Sequence, residues 1–438
     1  MSMNNIEQKY QIVIEDGVLK QFDKEFEGEY IVPSIVHTIK AHAFKDCDGL
    51  TGVRIPASVC RIEKLAFNEC CNLEYLSVEE GNPYYDSREN CCAIIETASG
   101  TLIRGCINTV IPEGVKRIGE WAFDSTRSLE SIIIPSSVKV IDDWAFCRCL
   151  ELGEIYLPES LEIIGKAAFF ECYSIKRIVL PDSLKIIGSG AFDGCESLKS
   201  ITIPSKVKYI WDEERPFSGC GALEYIRIDA DNKYFDSRGN CNGIIETATN
   251  ELIGGCSNTL IPNTVERIAD KAFASTDIEA VIIPESVKHI GTGVFKSCEM
   301  LSHIVVNKNN STYDSREDCN AIIHSGSDTL VSGCKKTVIP YGVAVIGAEA
   351  FYGISDLNVI EIPDSVHTIE EYAFAHCTSL KKVRIPDGVK RLHSNSFCRC
   401  IKLTLSIPAD CEYISDQFDK VKKIVRRKAP KKPDTNLI

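Results

Sequence analysis

The chain has 438 residues, of which 44% are hydrophobic and 25% charged, and its formal net charge is −13. This composition is typical of a soluble globular protein and excludes a wholly disordered chain. The acidic balance argues against a general nucleic-acid-binding protein, because contacts to phosphates need a basic surface. No run of about 18 apolar residues is present, so the sequence predicts no transmembrane segment.

The first residues, Met1-Ser-Met-Asn-Asn-Ile-Glu-Gln, lack the basic start and apolar block of a secretory signal. We therefore expect a cytoplasmic protein, with the cell surface or secretion as the alternative. The same region contains the alternating stretch Ile12-Val-Ile-Glu-Asp-Gly-Val-Leu-Lys. This pattern predicts a hairpin within residues 1–28 that caps the first repeat and covers its open edge.

From residue 29 to residue 418 one pattern returns about every 23 residues, and such a period indicates a repeat architecture. Each copy has a β-branched stretch closed by a proline, and a phenylalanine follows. The prolines are Pro33, Pro56, Pro112, Pro135, Pro158, Pro181, Pro204, Pro262, Pro284, Pro340, Pro363, Pro386 and Pro408. The phenylalanines are Phe44, Phe67, Phe123, Phe146, Phe169, Phe192, Phe217, Phe273, Phe295, Phe351, Phe374, Phe397 and Phe418.

A unit this small cannot bury its own apolar face, so successive units must stack into one continuous core. The stretch Ile-x-Ile-Pro predicts a short strand, because proline cannot donate to a β-ladder. Apolar residues three apart in Ala-Phe-x-x-Cys-x-x-Leu predict a short helical turn. Glycines such as Gly165 and Gly188 are expected to turn the chain with positive φ.

The pattern Leu-x-x-Ile-x-Ile-Pro-x-x-Val-x-x-Ile-Gly-x-x-Ala-Phe-x-x-Cys resembles the BspA-type leucine-rich repeat. This resemblance implies a curved repeat protein that binds other macromolecules, with no shared catalytic residues. We therefore predict an α+β repeat solenoid that is right-handed and curved, with about 13 rungs, a parallel β-sheet face and short helical turns.

Three longer units interrupt the rhythm at about residues 80–112, 230–262 and 308–340. Each contains two apolar stretches around a polar turn, which predicts a β-hairpin inserted into the solenoid wall. Each also contains the triplet Asp-Ser-Arg, beginning at Asp86, Asp236 and Asp314. Without a recurring His, these triplets favour turn capping with local Arg pairing over nucleophilic chemistry.

Residues 419–438 are rich in lysine and arginine, and we expect a disordered basic tail. Two interpretations of this tail are open: a solvated end, or a weak contact with an acidic surface.

The 21 cysteines divide into one repeat column of nine, six in the longer units and six scattered. The nine in this column are Cys47, Cys70, Cys149, Cys172, Cys195, Cys220, Cys298, Cys377 and Cys400. A stacked column favours cysteine as a small buried hydrophobic residue. Three further pairs lie in the predicted hairpins and are the candidate disulfides if the protein is exported, namely Cys91/Cys106, Cys241/Cys256 and Cys319/Cys334.

No catalytic, cofactor or metal site is predicted. The closest Cys pairs, such as Cys147-x-Cys149, alternate in side-chain direction, which disfavours zinc binding. The eight His occupy different repeat positions, so no nucleophile–base pair can be assembled. No phosphate-binding loop or His-Glu-x-x-His motif occurs. The sequence therefore indicates a protein that is not an enzyme and uses no cofactor.

Two columns are candidate partner-binding surfaces. The residue two before each repeat proline should point outward, because strand side chains alternate. Apolar side chains occupy this column at Val110, Ile133, Tyr156 and Val179, which suggests a surface for recognition or self-association. The alternatives are that packing between rungs covers these side chains, or that they follow β propensity. The residue two before the phenylalanine gives adjacent tryptophans, Trp121 and Trp144, which are either an interaction anchor or loop packing.

We therefore predict a non-catalytic module that binds another protein along its repeat face, with no nucleic-acid partner. The alternative is a cell-surface adhesin that binds host matrix proteins or glycans.

Overall fold

The computed structural model describes residues 10–210, 215–413, 418 and 420–428. The first strands are β1 (Val13–Glu15), β2 (Val18–Gln21), β3 (Gly28–Ile31), β4 (Thr38–Ile39), β5 (Leu50–Ile55), β6 (Arg61–Ile62), β7 (Tyr75–Val78), β8 (Tyr85–Asp86), β9 (Ile94–Glu96), β10 (Thr101–Arg104), β11 (Arg117–Ile118), β12 (Ser131–Ile133), β13 (Val140–Ile141), β14 (Glu154–Tyr156), β15 (Ile163–Ile164), β16 (Ile186–Ile187), β17 (Ser200–Ile203), β18 (Tyr209–Ile210) and β19 (Tyr225–Ile228).

The remaining strands are β20 (Phe235–Asp236), β21 (Ile244–Glu246), β22 (Glu251–Gly254), β23 (Arg267–Ile268), β24 (Ala280–Ile283), β25 (His289–Ile290), β26 (His303–Val306), β27 (Tyr313–Asp314), β28 (Ala321–His324), β29 (Thr329–Gly333), β30 (Val345–Ile346), β31 (Thr368–Ile369), β32 (Lys382–Arg384), β33 (Thr404–Ile407) and β34 (Lys423–Arg426). The described residues also form 3-10 helices at Arg88–Asn90, Arg238–Asn240 and Arg316–Asp318.

The chain forms two compact units, of residues 1–223 with 227–234 and of residues 224–226 with 235–438. Each unit is a β-solenoid, in which a coil contributes a short strand to one face and a second short strand to another. In the first unit β11, β13, β15, β16 and β18 pair in parallel, so the isoleucines Ile118, Ile141, Ile164, Ile187 and Ile210 lie in one register. Parallel stacking of identical apolar positions builds the continuous core.

The phenylalanines form buried stacked columns. In the first unit Phe123, Phe146 and Phe169 follow one another with ring centroids 4.8 and 5.4 Å apart and nearly parallel rings. In the second unit Phe351 and Phe374 stack in the same way, at 4.8 Å. Each phenylalanine therefore packs mainly against the equivalent residue of the neighbouring coils.

The predicted helical turns are wrong: the described residues contain no α-helix, so the α+β class is corrected to a β-solenoid. Trp144 and Arg148, two residues before and after Phe146, have φ of 60° and 57°. These left-handed residues break any helix, and the N–H groups of Trp144, Phe146 and Arg148 instead donate to carbonyls of the next coil, at 2.7–2.8 Å. The three-residue spacing arises from successive tight turns, in which Cys149 N donates to Phe146 O at 3.3 Å.

The expectation of positive φ at the repeat glycines is also wrong. Gly165 and Gly188 do not have positive φ; their role is close approach between coils. A Cβ on Gly188 would lie 2.3 Å from the backbone carbon of Gly165. The positive φ values occur instead at positions such as Trp121 and Leu65, two before the phenylalanines.

The three inserted hairpins are three-stranded meanders. In the first, β8 pairs antiparallel with β9, β9 pairs antiparallel with β10, and β10 then pairs parallel with β11. The insertion therefore contributes coils to the solenoid rather than lying outside it. This explains why the described part of the chain has about 17 coils and not the 13 obtained by counting prolines. Right-handed curvature stays a prediction.

The two ends of the chain differ from each other. At the N-terminus β1 and β2 form an antiparallel hairpin, and β2 pairs in parallel with β4. At the C-terminus the expected disorder from residue 419 is corrected, because β34 pairs in parallel with β33. Arg427 donates to the carbonyls of Ile385 and Ser406, at 2.7 and 2.9 Å. Part of the basic tail thus belongs to the fold, while residues 429–438 lie outside the described residues.

Candidate functional site

Four successive proline-marked repeats of the first unit expose a large apolar side chain at the same position. These four residues, the apolar column, have exposed fractions of 74% at Val110, 69% at Ile133, 58% at Tyr156 and 62% at Val179. They point outward because the residues on either side of them point inward: Ile132 and Ile134 are both buried beside Ile133. The structure therefore places the predicted column on the surface.

The centre of the apolar column borders a shallow groove. Ile133 and Tyr156 lie opposite each other on the parallel strands β12 and β14. Tyr156 and Val179 line the groove together with charged side chains. The charged residues at the groove are Glu130, Glu151, Glu154, Lys176 and Arg177. The Tyr156 hydroxyl donates to Glu154 at 3.3 Å, which orients the ring without burying it. The surface combines apolar contact area with a polar rim, the usual composition of a protein interface.

Polar side chains border the apolar column. Thr202, the next position in the repeat, is exposed. Toward the N-terminus the column position holds Arg54, which pairs with Glu29 at 3.3 Å. The apolar stretch of this unit is thus a patch of limited length.

The second unit has exposed apolar residues at the same repeat position, including Leu260, Ile282 and Val338. Counting from prolines missed one residue here, Val305, which is half-exposed and pairs with Ile282 across β24–β26. Its strand has no closing proline, so the marker used in the sequence was absent. The alternation of His303-Ile-Val-Val could have revealed it.

The two tryptophans are half-buried rather than freely exposed. Their indole rings stack in parallel, with centroids 4.9 Å apart and an interplanar angle of 2°. Trp144 also meets Phe170 edge-on at 5.6 Å. Packing between coils therefore accounts for much of the area of this pair, and the apolar column is the better candidate for an anchor.

The cysteine column makes a specific contact beyond apolar packing. The Cys149 thiol donates to the carbonyl oxygen of Phe123 at 3.2 Å, and the Cys172 thiol donates to that of Phe146 at 3.1 Å. The same bond joins Cys70, Cys195, Cys220, Cys298, Cys377 and Cys400 to the corresponding phenylalanines. Each thiol thus donates to a buried carbonyl, a contact that an aliphatic side chain at this position could not make.

All 21 cysteines are free thiols in the structure, including the three hairpin pairs. Burial raises the pKa of Cys71, Cys106 and Cys298 to about 11 and that of Cys149 well above its ordinary value. A raised pKa leaves less thiolate, the reactive form, at any pH below it.

We expect a thiol reagent at pH 8 to label native protein rapidly only at the exposed Cys60, and more slowly at the half-buried Cys92 and Cys398. A thiol with a pKa of about 11 is roughly 0.1% thiolate at that pH, and burial blocks access as well. Mass spectrometry after alkylation would locate the labelled thiols. Alkylation in denaturant without reductant should modify all 21; a shortfall of two, four or six would show disulfides in the hairpins.

The Asp-Ser-Arg triplets serve the fold. In the third insertion Arg316 donates to both carboxylate oxygens of Asp314, at 2.7 and 2.8 Å. This pairing lowers the pKa of Asp314 to about 2. The Ser315 hydroxyl donates a hydrogen bond to the Ala321 carbonyl and accepts one from the Val306 N–H. The serine hydroxyl is therefore occupied by the backbone and not presented as a nucleophile.

Among the described residues, no group of His, Cys, Asp and Glu side chains is arranged to hold a metal ion. The same residues include no helix long and apolar enough to cross a membrane.

The repeat pattern matches a known family over most of the chain. The model of the BspA type leucine rich repeat region matches six copies, over residues 20–95, 105–224, 245–317 and 331–432. The chain belongs to the BspA-type leucine-rich repeat family. The proteins of this family are repeat proteins, and the stacked coils described above are their repeats.

Solved structures of similar proteins cover nearly the whole of this BspA-type chain. A leucine rich cell surface protein from Faecalibacterium prausnitzii is 24% identical, over 96% of this chain and 93% of that one, with a TM-score of 0.46. A leucine-rich repeat protein from Bacteroides ovatus is 25% identical, over 95% and 88%, with a TM-score of 0.39. The pneumococcal vaccine antigen PcpA is 16% identical, over 96% and 97%, also with 0.39. A search of curated proteins finds no match.

Proposed function

We propose that this BspA-type repeat protein is a non-catalytic binding module whose partner is another protein, held along the apolar column. One observation carries the proposal: Val110, Ile133, Tyr156 and Val179 are all more than half exposed on successive repeats. A contiguous row of large exposed apolar side chains is costly in water and typical of an interaction surface.

The charges around the apolar column indicate the character of the partner. At the groove the acidic Glu130, Glu151 and Glu154 outnumber the basic Lys176 and Arg177, and the chain as a whole carries a net charge of −13. A partner with an apolar strip flanked by basic residues would bury the column and complement the rim. Tyr156 is the natural anchor, because tyrosine combines a large contact area with a hydroxyl that stays hydrogen-bonded.

The substitutions Tyr156→Asp and Val179→Asp together should abolish partner capture. A buried, unpaired carboxylate costs several kcal/mol at an interface, whereas the same substitutions cost about 1 kcal/mol or less each at exposed positions of the free protein. Tagged wild type and double variant would be used for quantitative affinity capture from the cell that encodes the protein, with unfolding curves in parallel.

The matched control is Tyr209→Asp with Ile35→Asp, which also adds two carboxylates at exposed apolar positions but lies outside the apolar column. Proteins lost by the column variant and retained by the control would be partners. Equal recovery of every captured protein by both variants would exclude the column as the binding surface.

The compartment determines which partners are accessible. Protease treatment of intact cells would distinguish an internal scaffold from an adhesin, because only a surface protein is cleaved before lysis. Cleavage would direct the capture experiment to host matrix proteins; protection would direct it to the cytoplasm.

A further inference from the structure

A cavity lies where the first insertion interrupts the phenylalanine column. Phe67 and Phe123 flank the insertion, and the inserted coil carries no phenylalanine turn between them. It passes instead through Gly105, where a Cβ would lie 2.2 Å from the Phe123 ring. The gap between the two turns is a cavity of about 260 Å³, lined among others by Leu65, Arg104 and Trp121. We call it the first-insertion cavity.

Arg104 is the buried cation of this cavity, with only 4% of its surface exposed. Its guanidinium bridges the two turns, because Nη1 donates to the Asp124 carbonyl at 3.1 Å and Nη2 to the Cys70 carbonyl at 3.2 Å. Its Nε–H has no acceptor among the residues that the structure describes. A buried donor left unsatisfied is rare and costly, so this N–H favours a ligand with an oxygen acceptor.

Trp121 supplies an aromatic wall. Trp144 covers one face of its indole, and Trp121, unlike Trp144, lines the cavity. The indole Nε1–H donates to Glu120 at 3.2 Å, which fixes the orientation of the ring. Rigid aromatic surfaces with a few placed polar groups are typical of small-molecule sites.

Five carboxylates line the cavity, and three of them are paired with cations. The paired ones are Glu63, Glu120 and Asp142. Their ion-pair partners are Arg61, Lys64 and Arg117, respectively. Asp124 and Glu96 instead accept hydrogen bonds, from Asn68 and from Ser99 respectively. This negative lining disfavours an anion. The carboxylate oxygens can nevertheless accept hydrogen bonds from hydroxyl groups, since each has several lone pairs.

The other two insertions lack this combination. Gly254 and Ser332 stand where the first insertion has Arg104, and Lys271 and Glu349 stand where it has Trp121. In the third insertion the turns meet directly: Ser297 N donates to Tyr352 O at 2.9 Å. The combination of a buried arginine with a tryptophan is therefore found at the first insertion and not at the other two.

We propose that the first-insertion cavity binds one ring of a neutral sugar. The C–H face of the ring would pack on Trp121, a sugar oxygen would accept from Arg104 Nε–H, and sugar hydroxyls would donate to the paired carboxylates. A volume of about 260 Å³ is close to the lower end of small-molecule sites, roughly 300 Å³, which suits a single ring. This site is separate from the apolar column.

Titration with neutral hexoses and N-acetylhexosamines tests the proposal. Tryptophan fluorescence and saturation-transfer NMR would report binding, and we expect a dissociation constant on the order of 1 mM. Arg104→Ser and Trp121→Leu should each weaken binding at least about tenfold, as expected for loss of about 1.4 kcal/mol. The third insertion carries Ser332 in place of Arg104, and Leu65 occupies the position of Trp121 in a neighbouring turn with φ of 61°, so both variants should fold.

Lys271→Leu, at the equivalent position of the second insertion, is the matched control and should bind like wild type. The column variant Tyr156→Asp with Val179→Asp should also keep sugar binding, so the two proposals fail separately. The absence of saturable binding by any neutral sugar would overturn the inference. So would tighter binding of choline or N-acetylneuraminate than of neutral sugars, or unchanged binding by both cavity variants.

Discussion

Replacing Phe146 with alanine should destabilise the first unit by about 3–5 kcal/mol, the range for loss of a fully buried aromatic side chain. The ring has no exposed surface and lies between Phe123 and Phe169, so both of its faces lose a partner. The neighbouring coils cannot move into the gap, because backbone hydrogen bonds on either side hold them at a fixed spacing. Urea denaturation followed by circular dichroism would measure the change.

Ile133→Ala provides the comparison, because it removes an exposed side chain from a neighbouring strand. We expect it to change the free energy of unfolding by about 0.5 kcal/mol or less. Since each coil contacts mainly its neighbours, the loss at Phe146 should appear first in hydrogen exchange of the adjacent coils. Similar unfolding curves for both variants would contradict the view that the phenylalanine column carries the stability.

Gly188→Ala should cost about 3 kcal/mol, although it adds only one methyl group. The new Cβ would lie 2.3 Å from the Gly165 carbonyl carbon and 2.4 Å from Lys166 N. Both are backbone atoms that cannot rotate away, so neighbouring coils would have to separate. Forced overpacking typically costs about 1–3 kcal/mol, and we expect a clash with backbone atoms to lie at the top of this range.

Gly153→Ala is the matched control in the same unit. Its nearest atom to an added Cβ is 3.7 Å away and its φ is not positive, so alanine fits without strain. We expect no loss, or a gain of about 0.4–1 kcal/mol from reduced freedom of the unfolded chain. Thermal unfolding of both variants would measure the difference. A Gly188→Ala protein as stable as Gly153→Ala would show that the coils are not in close contact there.

The sequence contained enough information to identify the repeat, the family and the outward direction of the apolar column. All three depend on periodicity. A single sequence shows this periodicity because every coil packs against equivalent coils and therefore needs the same residue types at the same positions. The apolar column follows from strand alternation at Ile133, where a two-residue period separates buried from exposed side chains. Its role in binding stays a prediction.

The sequence was misleading where one spacing of apolar residues is compatible with two backbone conformations. Phe146, Cys149 and Leu152 lie three apart in a helix and also in a run of tight turns, and only the positive φ of Trp144 and Arg148 separates the two. The sequence also led us to expect positive φ at Gly188. Glycine is needed there for a different reason, because another coil lies in close contact. Counting prolines likewise missed the coils of the insertions and the exposed Val305.

The sequence by itself determined which residues are equivalent, because identical side chains at identical intervals must occupy identical places in a stacked fold. Only the tertiary structure decided what lies next to what across an insertion. The first-insertion cavity is the clearest case: Arg104 comes from the insertion, Leu65 precedes it, and Trp121 follows it. No local pattern relates these residues, since their proximity depends on how the inserted coil displaces one phenylalanine turn from the next.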